Sequence, residues 1–286
     1  MKKVLVSLLA LALWGCATAT PQSEDLLSAA QATAFVPRAH GIENIPFVEQ
    51  TAGYCGPATL SMAMGALGKP ISPDELARQV YTPNMKGTLQ EDMISASRRQ
   101  GFLAIPMSGL RPLLMEVAAG HAVIVFENLA LSWLPQWHYA IVFGYDLDAQ
   151  TVTMHSGPEA NKHWDLRRFE RSWQLADYWG LIILRPGELS TSAGEWDHVK
   201  AAAALEKIGK NEEAEKSYRA IRERWPKSLV AGIGLANIVY AKGNPREAAR
   251  ILQQVVKDHP DSTEARHNLV VALAQVDVSK KSETIH

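Results

Sequence analysis

Four positions recur at one fixed spacing in the last third of this 286-residue chain, and that period leaves few architectures open. Gly209 and Gly243, Ala214 and Ala248, and Pro226 and Pro260 each lie 34 residues apart, and the large Tyr218 and Leu252 keep the same interval. A unit of this length is two packed helices with their connecting turns. Glycine suits the turn between the helices, alanine lets the second helix approach the first closely, and proline ends the second helix. Asn211-Glu212-Glu213-Ala214 and Asn244-Pro245-Arg246-Glu247-Ala248 read as starts of second helices, with Asn as the cap and acid or proline in the first turn. Thr263 to about Val276 supplies one more helix, which closes the stack as a lid.

The spacing resembles the tetratricopeptide repeat, with about two and a half units over residues 196–276. That resemblance implies an all-α domain that takes a peptide or protein partner on its concave face. A tail, 277–286, follows. Pro186, Gly187, Ser190, Thr191, Ser192 and Gly194 cluster just before the repeats, so residues 187–195 read as a linker. The preceding segment, 40–186, is long enough for one core of its own.

Composition excludes several function classes. The 29 Lys and Arg against 30 Asp and Glu give a net charge of -1, and without a basic block nucleic acid is not an expected partner. No glycine-rich phosphate loop is present, so no nucleotide cofactor is indicated. The two cysteines, Cys16 and Cys55, rule out a disulfide framework and a thiolate-rich zinc cage. His155, His163 and Asp165 lack the spacing of a compact metal motif, so no metal or other cofactor is expected.

The amino terminus has the order of a secretory signal. Lys2 and Lys3 precede an almost unbroken apolar run, Val4 to Leu13, too short to span a bilayer of about 30 Å. Leu13-Trp14-Gly15-Cys16 resembles the lipobox of bacterial lipoproteins. The resemblance implies a signal peptide over 1–15, cleavage before Cys16 and lipid on its thiol. The protein would then be anchored in the bacterial cell envelope, facing the periplasm or exterior. Residues 16–39 carry no clear period and read as a tether.

With Cys16 lipidated, Cys55 is the one thiol left in an oxidising compartment, where an idle cysteine is a liability. It lies in Gly53-Tyr54-Cys55-Gly56-Pro57-Ala58, ahead of an apolar helical run through Leu60, Met62, Met64 and Leu67. A helix amino terminus favours a thiolate through its free N–H groups and the positive end of the dipole. The expected base is His138, which follows Trp137 and opens the β-rich run Tyr139 to Tyr145. Trp133 and Trp137 could wall a substrate groove beside it.

These settings resemble the papain-like C39 family of bacterial cysteine peptidases. Gln50-Thr51-Ala52-Gly53-Tyr54-Cys55-Gly56-Pro57-Ala58 is similar to its glutamine-then-cysteine opening. His138 to Asp146 is similar to its histidine strand, and Lys86-Gly87-Thr88, the helix Leu89–Arg99 and the strand Gly120–Val125 fit the middle. The resemblance implies a papain-like α+β domain that hydrolyses peptide bonds. In that reading Cys55 is the nucleophile, His138 the base, and Gln50 with the Cys55 N–H the oxyanion hole.

One position departs from the family. The aspartate that orients the histidine belongs on the next strand, where this chain has His155-Ser156-Gly157. Ser156 is the tentative replacement, with His155 or a carboxylate from elsewhere, such as Asp165, still open; Asp146 reads as a turn cap. Two other functions follow from the departure: a binding protein that no longer turns over and recruits a partner through its repeats, or the same Cys-His machinery acting on a non-peptide amide or acyl group.

Overall fold

The computed structural model describes residues 19–28, 35–51 and 53–283; the signal segment and Cys16 lie outside the described residues. Strands β1 (Ala39–Gly41), β4 (Leu103–Ser108), β5 (Val123–Asn128), β6 (Trp137–Asp146), β7 (Thr151–Ser156), β8 (Glu159–Asp165) and β9 (Trp179–Leu184) form one antiparallel sheet. Its order is β4-β9-β5-β6-β7-β8, with β1 also paired to β6. The short strands β2 (Tyr81–Thr82) and β3 (Gly87–Thr88) make a separate ribbon.

Side-chain alternation divides the core. Along β5, Ile124 faces helices α2 (Cys55–Ala66), α3 (Pro73–Val80) and α4 (Gln90–Arg99), meeting Leu60, Met62, Leu76 and Met93. Val123 and Val125 face the other way, towards α5 (Leu110–Ala118) and α6 (Leu166–Gln174), meeting Leu113, Val117, Phe169 and Trp173. Strands apolar on both faces need cover on both, which explains the helical layers.

The second core continues without a break into α7 (Glu195–Lys207), α8 (Asn211–Arg224), α9 (Leu229–Ala241), α10 (Pro245–Asp258) and α11 (Thr263–Glu283). These are antiparallel helical hairpins in the expected 34-residue frame. Gly209 and Gly243 take φ of 78° and 81° in the inter-helix turns, a left-handed conformation that favours glycine. Ala214 and Ala248 are fully buried at the helix crossings. Asn244 caps α10 by accepting from Glu247 N at 3.2 Å, but Asn211 is the first residue of its helix rather than a cap. Helix α11 runs on to Glu283, through most of the segment expected to be a tail.

Two connecting segments are more ordered than the sequence suggests. The expected tether contains α1 (Pro21–Leu27), with Ser23 and Leu26 buried. Glu170 of α6 accepts from Gln22 N at 3.0 Å and Ser23 N at 2.7 Å. A carboxylate at the exposed N–H groups and positive dipole end of a helix holds it in place. The linker 187–195 is likewise pinned. Glu116 of α5 accepts from Ser190 Oγ at 2.7 Å, Ser192 N at 2.7 Å and Thr191 Oγ1 at 3.1 Å, and pairs with His121 Nδ1 at 2.7 Å. His198 of α7 locks the same turn, its Nε2 accepting from Ser190 N at 2.9 Å and its Nδ1 lying 2.8 Å from Gly194 O.

Candidate active site

Cys55 opens α2 and is partly exposed. Its start is fixed by close backbone approach: a Cβ on Gly56 would lie 2.6 Å from Thr88 Cβ, so α2 and β3 touch as only glycine permits. The next turn ties Cys55 to the strand of His138. Thr59 Oγ1 donates to Cys55 O at 2.6 Å and lies 3.4 Å from Tyr139 O. Backbone N–H groups of Tyr139, Gly56 and Cys55 itself act on the thiol in the direction that favours its ionised form.

Gln50 is anchored on both sides. Its Nε2 donates to Thr59 Oγ1 at 3.0 Å and its Oε1 accepts from Gly157 N at 2.9 Å, while its own N donates to Gly157 O at 3.2 Å. An amide nitrogen has two hydrogens, so one remains beyond the Thr59 bond.

His138 Nε2 and Ser156 Oγ are 3.1 Å apart, with Ser156 buried. The alternation that turns Ser156 towards His138 sends His155 to the opposite face. There His155 Nε2 lies 3.1 Å from Ile45 O, its Nδ1 accepts from Asn161 N at 3.0 Å, and its ring packs on Phe47 and Phe143. Asp165 caps α6 by accepting from Arg168 N at 2.9 Å. Asp146 accepts from Asp148 N and Ala149 N, both at 2.8 Å, as a turn cap. His163 Nδ1 sits 3.1 Å from Thr153 Oγ1. Of the candidates for the third position, Ser156 is the one beside His138.

Burial and the nearby backbone N–H groups act on the Cys55 thiol in opposite directions. Burial pushes the Cys55 pKa up, and the three N–H groups offset this only in part. Burial, helped by the Lys162 charge, lowers that of His138 to about 4. Desolvation penalises both charged forms, so the pair rests neutral, and no hydrogen bond joins the two side chains among the described residues.

Cys55 opens into a cleft of about 510 Å³ lined by Met85, Leu89, Phe126, Trp137 and Tyr139, among others. Trp137 stacks on Phe126 with centroids 5.2 Å apart and planes 15° apart. Trp133 is 78% exposed and does not line the cleft. Two residues that carry no motif also belong to the surroundings of the site. Thr59 is a buried helix residue, and Glu127 is fully buried directly across from His138 in the β5–β6 pairing. The only sequence signal for Glu127 is an acid closing the apolar run Val123 to Phe126.

Residues 42–180 match the model of the Peptidase_C39 like family, and residues 207–273 match a tetratricopeptide repeat model. No curated protein matches the chain. Three solved structures are similar over the first domain. A C39-like peptidase from Bacillus anthracis is 15% identical, with TM-score 0.45 over 54% of this chain and 100% of that one. The peptidase domain of Streptococcus ComA, a bifunctional ABC transporter, is 20% identical, with TM-score 0.42 over 49% and 98%. A double-glycine-motif protease from an AMS/PCAT transporter is 16% identical, with TM-score 0.40 over 50% and 93%.

Proposed function

We propose that this chain, which joins a domain of the Peptidase_C39 like family to tetratricopeptide repeats, is a cysteine peptidase tethered by lipid on Cys16 in a bacterial cell envelope. The observation that carries the reading is a cleft that opens on Cys55 and on Trp137 and Tyr139, the two neighbours of His138 in the chain. Cys55 at a helix start meets the peptide N–H that follows His138, and His138 Nε2 is held by Ser156. With Nε2 engaged, Nδ1 is the ring nitrogen left to serve the thiol.

Substrate binding brings the proton transfer. His138 takes the Cys55 proton, and sulfur attacks the peptide carbonyl. Carbonyl oxygen, now negative, is received by the second Gln50 Nε2 hydrogen and the Cys55 N–H. Collapse expels the amine, which leaves with the proton from His138, and a thioester remains. Water, deprotonated by His138, hydrolyses the thioester and restores the thiol. The aromatic shelf of Phe126, Trp137 and Tyr139 excludes water and receives an apolar part of the substrate. The repeats present the substrate protein, or a partner that delivers it.

The test compares the soluble form starting at Ala17 with its Cys55→Ala variant. An epoxide active-site label and cleavage of a mixed peptide library should both be lost in the variant. A folded wild type that neither labels nor cleaves rejects the peptidase reading. The neutral resting pair favours one second reading, a peptide-binding protein without turnover. Under it, the unlabelled wild type still retains library peptides, and Cys55→Ala retains them equally.

A further inference from the structure

In place of the acid missing after the histidine strand, the structure offers one on the strand before it. In the antiparallel pairing of β5 with β6, Glu127 lies directly opposite His138. Directly paired residues project from the same face with Cβ atoms about 4.5–5.5 Å apart. Counting along the strands puts Glu127, His138 and Ser156 on one face, the face that Val123 and Val125 turn towards α5 and α6, with Glu127 on the strand to one side of His138 and Ser156 on the strand to the other.

The carboxylate is held but not used up. Glu127 is fully buried; its Oε1 accepts from Ser172 Oγ of α6 at 2.7 Å, and its Oε2 has no hydrogen-bond partner. A buried carboxylate oxygen without a donor is costly to keep. A fold gains from it only if a donor arrives, and a protonated His138 is one.

We propose that Glu127 is the acidic partner of the Cys55–His138 pair, a positioning residue that stabilises the imidazolium formed when Cys55 gives up its proton. This rests on the Cys-His reading above and deepens it: Ser156 orients the ring, and Glu127 supplies the charge a serine lacks. The charged and titratable groups facing the pair are few. Lys162 of β8 is the one charge acting on both Glu127 and His138, and Ser172 faces Glu127 from α6. Burial pushes the Glu127 carboxyl up to about 7, against the Ser172 bond and Lys162, so it ionises in the range where a peptidase works. Glu127 and His138 then share one proton around neutrality and gain a second only in acid.

The decisive measurement is the imidazole titration of His138 by NMR in the full soluble chain carrying Cys55→Ala, which removes the thiol's own titration. Coupling gives two inflections, one near neutral pH and one in acid; Glu127→Gln leaves only the acid one. A Gln side chain can still accept from Ser172, so a purely structural Glu127 leaves the curve unchanged. A single acid inflection in both proteins overturns the proposal. Should Glu127→Gln fail to fold, a single inflection with Glu127 in place overturns it as well, and two support it. In the active protein, Glu127→Gln should lower kcat/KM about tenfold at pH 8 and not at pH 5, one pK unit of coupling being a factor of ten. Absence of epoxide labelling in wild type would reject the peptidase reading while the His138 titration still decides Glu127.

Discussion

At the scale of single residues, the site depends on atoms whose loss has separable signatures. Ser156 Oγ, 3.1 Å from His138 Nε2, fixes ring orientation with one neutral hydrogen bond, worth about 1 kcal/mol net. Ser156→Ala should therefore lower kcat by roughly three- to tenfold and leave KM unchanged; an equal change in both constants would place Ser156 in substrate binding instead. The unliganded thiol provides a pH prediction. Its folded pKa lies above the ordinary 9.0 because burial disfavours the thiolate, so iodoacetamide alkylation of Cys55 should keep rising beyond pH 9. A rate that levels off by pH 7 would show a thiolate already stabilised in the resting state. Gly56 controls geometry rather than charge. Placing a Cβ 2.6 Å from Thr88 Cβ in Gly56→Ala overpacks the α2–β3 contact, at a cost of about 1–3 kcal/mol. Thermal melting should report that loss, and epoxide labelling should fall with it as the start of α2 shifts.

At the scale of elements, sequence legibility follows the distance over which each element is specified. The repeat helices and α2 were readable because glycine turns, caps and apolar spacing lie within the same few residues. Helix α1 was not, because the carboxylate holding it, Glu170, comes from 147 residues further along. For the third position the sequence leaves Ser156, His155 and a more distant carboxylate such as Asp165 open. Choosing Ser156 over His155 needs the face each takes on β7, and only the packed sheet supplies it. Glu127 was hidden for a related reason, since cross-strand pairing with His138 has no local mark. The pinned linker is another long-range element, and Glu116 makes it testable. Burial alone would raise its pKa, but the hydrogen bonds from His121, Ser192 and Ser190 prevail and hold it at about 2, against an ordinary 4.5. A depressed carboxyl contributes stability that is present above 4.5 and lost as pH falls towards 2. The melting temperature of the full chain should drop through that window, and Glu116→Gln should flatten the drop while lowering the melting temperature at pH 7. A pH dependence unchanged by the substitution would remove Glu116 from the account of acid stability.

At the scale of the whole molecule, the two sequence families share one apolar core. Residues of the sheet, α5 and α6 form a single buried cluster with Val199, Ala202 and Leu205 of α7 and with the repeat helices beyond. The polar seam runs the same way: Arg224 Nη1 donates to Ser190 O at 3.3 Å, in the turn that Glu116 and His198 hold. The repeats therefore act as structural cover for the peptidase-like domain. If so, the chain unfolds as a unit, and a fragment ending at residue 186 is not an independent domain. Such a fragment leaves Glu116 buried or half-buried without Ser190, Thr191 and Ser192, and losing such partners costs about 1–3 kcal/mol for each orphaned group. A net loss of about 3 kcal/mol corresponds to a fall of roughly 6–12 °C in melting temperature for a domain of this size. Calorimetry of the full soluble chain should show one transition, and the fragment should melt lower by at least that amount. Two transitions in the full chain, one matching the isolated fragment, would mean that the shared core does not couple the domains and that the repeats serve recruitment alone.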